Sequence, residues 1–146
     1  MSAKATASVG IFLKGYNCAQ AVLWSFHDEL RLDPDAALKV ACGFGAGMGR
    51  QQQTCGALAG GIMVLGLKYG RGGNQDRVAT EVTYSKVRDL MQRFEAKHGS
   101  CLCRTLLQGC DLSTEEGQRF FKENDLLNKT CKRCVETVVQ ALEEIG

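Results

Sequence analysis

Eight cysteines stand in this chain, at positions 18, 42, 55, 101, 103, 110, 131 and 134. A thiolate does two kinds of chemistry: it exchanges with disulfides, and it ligates soft metals. An unassisted thiol ionises only at about pH 8.5, so a cysteine that reacts at neutral pH needs help. A helix N-terminus supplies it. The first N–H groups have no partner within the helix, and the macrodipole is positive at that end. Cysteines in such places ionise at roughly pH 3.5–7.5.

Six of the cysteines follow residues that read as helix caps. Cys18 follows Asn17, Cys55 follows Thr54, Cys101 and Cys103 follow Ser100, and Cys131 and Cys134 follow Thr130. This spacing predicts thiols in the first turns of helices, activated there. Cys131-Lys-Arg-Cys134 is also a CxxC, a redox spacing in which an exposed first cysteine is resolved by the second. The same spacing is half of a zinc or cluster site. Cys101 and Cys103 are two residues apart, so on a helix they point to different sides. Against all this stands the reading of cysteine as a small buried hydrophobe, which stays open for Cys42, Cys101, Cys110 and Cys134.

Other catalytic patterns are missing. His27 and His98 read as last-turn residues that complement a helix dipole. There is no HExxH, GxSxG or P-loop motif. Gly43-x-Gly45-x-x-x-Gly49 follows a helix and not a strand, so it is no dinucleotide fingerprint.

The elements that must position the cysteines are helical. No window alternates at period two, and helix punctuation is frequent. The pattern predicts helices from Ala3 to Lys14, from Asn17 with Gln20 as a capping-box partner, and from Asp33-Pro34 to about Ala41. Cys42 to Gly49 reads CGFGAGMG, a loop whose four glycines bring backbone close to something. A glycine- and alanine-rich helix from near Thr54 to Tyr69 is expected to be central and buried. A long amphipathic helix follows from about Gln75 to Lys97, its apolar face marked by Val78, Val82, Val87, Leu90, Met91 and Phe94, with Gly99 beyond its end. Ser100, Ser113 (with Glu116) and Thr130 are expected to cap three more. The expected architecture is all-α, a compact single-domain bundle of about six to eight helices spanning residues 1–146.

Composition limits the function. The chain has 146 residues, long enough to bury a core without covalent staples. Its net charge is +2, and no run of basic residues suggests a nucleic-acid partner. The longest mostly apolar stretch, Cys55 to Leu67, is shorter than the roughly 20 residues a membrane span needs. No secretory signal is evident, so the expected compartment is the cytoplasm, where thiols are mostly kept reduced.

A family resemblance bears on the cysteines. Cys55-Gly56-Ala57-Leu58-Ala59-Gly60 is a CGAxxG motif, preceded by Gly15-Tyr16-Asn17-Cys18 and the glycine-rich 42–49 segment. The chain thereby resembles a family of redox-active proteins named for one cysteine, a CGAxxG motif and two later cysteines. The resemblance implies Cys18, Cys55, Cys103 and Cys131 as the family cysteines, with Cys134 competing for the last place. Cys18 and Cys55 are favoured because a helix cap and the motif point to each.

The leading expectation is thus thiol–disulfide chemistry at Cys18, Cys55, Cys103 and Cys131, as in a thiol–disulfide oxidoreductase. Its partner would be a redox partner protein or a small thiol, with a homodimer as one open assembly. The alternative is a metal site on the same four cysteines, holding an iron–sulfur cluster or zinc.

Overall fold

Ser2, Asn17, Asp33, Asp76 and Thr114 each turn a side-chain oxygen back onto a free backbone N–H, and each starts a helix. The computed structural model describes Met1–Gly146 and contains eight helices and no strand. They are α1 (Ala3–Leu13), α2 (Cys18–Ser25), α3 (Pro34–Ala41), α4 (Gly56–Tyr69), α5 (Arg77–His98), α6 (Cys103–Leu106), α7 (Glu115–Glu123) and α8 (Lys132–Ile145). Asn17 and Gln20 form the capping box their spacing predicts. Gly99 ends α5 in the left-handed conformation, at φ 86°.

Helix α2 lies inside the bundle, packed on α1, α3 and α4, while α8 closes over α1, α2, α4 and α5. The main core holds 24 buried residues, with Phe26, Phe94, Leu23 and Leu58 among the largest. A smaller cluster of Cys103, Leu107, Cys110 and Leu112 lies beneath the 103–112 segment.

The small residues of α4 account for its central position. A Cβ on Gly60 would lie 2.7 Å from the Ala19 carbonyl oxygen and 3.2 Å from the Ala19 Cα, so α2 and α4 meet backbone to backbone. A Cβ on Gly61 would lie 2.7 Å from Val138 of α8 and 3.0 Å from Leu90 of α5. Two neighbouring glycines therefore admit three helices.

The CGFGAGMG segment takes an unusual form. After a 3₁₀ turn at Cys42–Phe44, residues 46 to 50 all have positive φ, from 53° at Ala46 to 71° at Met48. The Gly49 N–H donates to the Gly45 carbonyl at 3.0 Å, closing one turn of left-handed helix. Each non-glycine residue costs about 1–2 kcal/mol in that conformation. Glycines at 47 and 49 alternate with Ala46, Met48 and Arg50 and so limit the strain.

Some expectations are corrected. Val78 is 65 % exposed and Val82 39 %, because only the second half of α5, with Leu90 and Phe94, reaches the core. Ser100 caps no helix; its hydroxyl accepts from the Leu102 N–H, and α6 starts only at Cys103. Thr114, not Ser113, caps α7; Ser113 bonds Asp111 instead. Thr130 lies in a π turn, Leu127–Cys131, which runs into α8 without a free N-terminus.

Gly60→Ala should destabilise the fold by about 1–3 kcal/mol, since the added methyl meets backbone that cannot swing aside. Gly66→Ala, with open space around it, should not. Urea midpoints of the two variants measure the contrast.

Candidate thiol site

Cys18 is the first residue of α2, and Cys55 is the N-cap of α4. The close approach of the two helices brings their sulfurs into hydrogen-bonding contact. Gly56 is part of the reason: a Cβ there would lie 2.7 Å from the Cys18 Sγ and 2.8 Å from the Phe44 carbonyl oxygen. Cys134 of α8 neighbours Cys55 as well, in the same core cluster and the same cavity wall. The three thiols thus form a row with Cys55 between the other two. All are buried, Cys18 at 9 %, Cys55 at 6 % and Cys134 at 1 % exposure.

The row opens on a cavity of about 470 Å³, which Cys103 and Cys131 also line. Its remaining walls are largely apolar, with Phe12, Leu107 and Phe121 among them. Arg50, Lys122 and Asp125 supply charge. All four cysteines expected from the sequence therefore face one space, although they come from α2, α4, α6 and the π turn. Cys134 faces it too. Its signal was its register: Cys134, Val138 and Leu142 repeat every four residues along the buried face of α8. Cys42 is exposed, and Cys42, Cys101 and Cys110 are not in the cavity lining. Neither His27 nor His98 lines it.

Two backbone devices hold Cys103 in place. The Cys55 N–H donates to the Cys101 carbonyl at 2.8 Å and the Cys103 N–H to the Gln53 carbonyl at 2.6 Å, around a single antiparallel bridge between Thr54 and Leu102. Gln52 is the second device, and nothing in the sequence marked it. Its buried side chain donates to the Cys110 carbonyl at 2.6 Å and accepts from the Leu112 N–H at 2.8 Å. Its backbone is left-handed, at φ 57°, and its N–H donates to the Ala46 carbonyl of the left-handed turn.

The electrostatics overturn the expectation of activated thiolates. Backbone N–H groups do aim at the sulfurs: those of Ala46, in the left-handed turn, and of Cys18, at the start of α2, favour the Cys18 thiolate, and that of Ala57, at the start of α4, favours the Cys55 thiolate. Other terms win. Cys18 is pushed well above its ordinary range by its hydrogen bond to Cys55, then by burial. Cys55 is pushed up by its hydrogen bond to Cys134 and by burial, although Cys18 pulls the other way. Burial raises Cys103 to about 12, with help from neighbouring Cys18 and Cys110. Burial raises Cys131 as well. Desolvation penalises the charged form more than a helix end rewards it. The expected helix starts at Cys101 and Cys131 are also absent, so those two lack even that help.

No group of three or more His, Cys, Asp or Glu side chains is arranged so that it could hold a metal ion. The thiols share a cavity but do not form a ligand set.

Comparison with known proteins bears on the cysteines. Residues 16–145 match the family described as "Putative redox-active protein (C_GCAxxG_C_C)". The chain belongs to that family. Its own motif reads Cys55-Gly56-Ala57-x-x-Gly60, so cysteine and glycine stand in the opposite order to that description. Every cysteine of the cavity lies within the matched span. No curated protein and no solved structure matches the chain significantly. No helix is long and apolar enough to cross a membrane.

Gln52→Ala should cost about 2–3 kcal/mol, because it orphans a buried carbonyl and a buried N–H at once; chemical denaturation reads it. Stability should also fall as pH rises above about 9. The unfolded chain releases its thiol protons there, whereas the folded chain keeps that of Cys103 to about 12. Below 9 both states hold these protons and the thiols add no pH dependence. Denaturation midpoints at pH 8, 9 and 10 measure the trend.

Proposed function

We propose that the chain is a thiol–disulfide redox protein whose reacting pair is Cys18 and Cys55. The observation that carries this is their mutual contact at the floor of an otherwise largely apolar cavity. Membership of a redox-active family supports it. Cys103 and Cys131 face the same cavity and are the second thiols of the site. The cavity's volume is in the range of small-molecule sites, roughly 300–1,000 Å³, so the substrate class that fits is a small disulfide or thiol. Such chemistry, drawing on thiols kept reduced between turnovers, suits the cytoplasm.

The route is an exchange in two displacements. A thiolate at Cys18 attacks one sulfur of the small disulfide and expels the other as a thiolate. Cys55 then attacks the Cys18 sulfur and expels the second substrate thiol, leaving a Cys18–Cys55 disulfide. Two protein thiols are oxidised and one substrate disulfide is reduced. The N–H groups of Ala46 and Cys18 hold the attacking sulfur as its charge forms.

The metal alternative, zinc or an iron–sulfur cluster on Cys18, Cys55, Cys103 and Cys131, has less support. Ligation needs thiolates gathered around one point, and these four thiols line one cavity without forming such a set.

The test is reaction with bis(2-hydroxyethyl) disulfide followed by acid quench and peptide mapping. A disulfide between cavity cysteines should form, and Cys18→Ser or Cys55→Ser should suppress it. The rate should climb about tenfold per pH unit between pH 7 and 9, because the thiolate fraction limits it. A folded protein that forms no intramolecular disulfide under these conditions sinks the proposal.

A further inference from the structure

Cys134 has no place in the two-displacement route, yet it touches the sulfur on which that route ends. Cys18, Cys55 and Cys134 lie in one core cluster and line one cavity, with Cys55 next to both of the others. Exposure falls in that order, from 9 % to 6 % to 1 %. Cys134 is held rigidly: Val138 and Leu142, one and two turns on along α8, are fully packed in the core. A middle sulfur that can pair on either side is the arrangement a disulfide relay requires.

We propose that Cys134 is a third redox-active cysteine, which takes over the disulfide from Cys18 and stores it as a buried Cys55–Cys134 pair. This rests on the reading of Cys18 and Cys55 as the reacting pair. The added step balances simply. The Cys134 thiolate attacks the Cys55 sulfur, a Cys55–Cys134 bond forms, the Cys18–Cys55 bond breaks, and Cys18 leaves as a thiolate that takes up a proton. Summed over all steps, one small disulfide and the thiols of Cys55 and Cys134 become two small thiols and one protein disulfide. Cys18 ends reduced, facing the cavity again. The oxidising equivalent has moved to the least accessible position in the site, away from reductants that enter the cavity.

The competing role for Cys134 is that of a small buried hydrophobe. Disulfide mapping separates the two. The wild-type protein is treated with one equivalent of bis(2-hydroxyethyl) disulfide, quenched in acid at a series of times, and its free thiols are alkylated. Relay transfer predicts that Cys18–Cys55 appears first and declines, that Cys55–Cys134 becomes the main product, and that Cys18 regains its label. In Cys134→Ala and Cys134→Ser the Cys55–Cys134 product is lost and Cys18–Cys55 persists, leaving Cys18 unlabelled. The wild-type time course decides the matter even if neither variant folds. A Cys18–Cys55 disulfide that persists in wild type with Cys134 fully labelled overturns the relay and leaves the two-cysteine reading standing. A Cys131–Cys134 disulfide in place of Cys55–Cys134 overturns the relay as well. No disulfide among these cysteines overturns both.

Discussion

The structure depends on one close approach, that of α2 to α4. Two helices ordinarily lie 8–10 Å apart because side chains keep them there. Here the missing side chains at Gly56 and Gly60 let the α2 backbone and the Cys18 sulfur come against α4 directly. The spacing of four residues places both glycines on one face of α4. The motif Cys55-Gly56-Ala57-x-x-Gly60 is therefore a packing instruction as much as a chemical one. It provides a sulfur, clears the space for a second, and fixes the helix that carries the second. Gly61 repeats the device toward α5 and α8, and α8 brings Cys134.

That crowding also decides the protonation of the site. A single cysteine at an open helix N-terminus keeps water and gains the helix field. In this protein the first residue of α2 and the cap of α4 face each other beneath α8, and each sulfur finds another sulfur as its neighbour. A thiol that donates a hydrogen bond is stabilised as a thiol. The same packing that assembles the sulfurs thus holds them in reserve as protonated groups, and their reactivity depends on what enters the cavity.

Features set by local chemistry were legible in the sequence. Asn17 with Gln20, Asp33 with Pro34, and Gly99 each act through contacts with their immediate neighbours, and each does what its type predicts. Caps failed where a hydroxyl found a different partner: Ser113 took Asp111, and Ser100 took the Leu102 N–H, before the helix begins at Cys103. The glycines of 43–49 announced a close approach, and Gly45 and Gly47 make one against Asn17 and Gln52. Their left-handed winding was not readable, because alternate glycines permit that form without requiring it. Gln52 was invisible for a similar reason, since its role comes from a distant segment folding over it. The convergence of Cys18, Cys55, Cys103 and Cys131 on one space is tertiary, and only the motif hinted at it. Cys134 could have been included from its helical register alone.

The order of the helices along the chain has a consequence for biosynthesis. A ribosome releases α1 to α4 before α8, so the motif helix emerges while α8 does not yet exist. Until α8 docks, Cys18 and Cys55 have no lid, and Cys55 lacks its hydrogen-bonding neighbour. The interval between translation of the motif and closure by α8 is then when these sulfurs are most exposed to stray oxidants. A nascent chain paused before α8 would carry thiols far more accessible than those of the folded bundle.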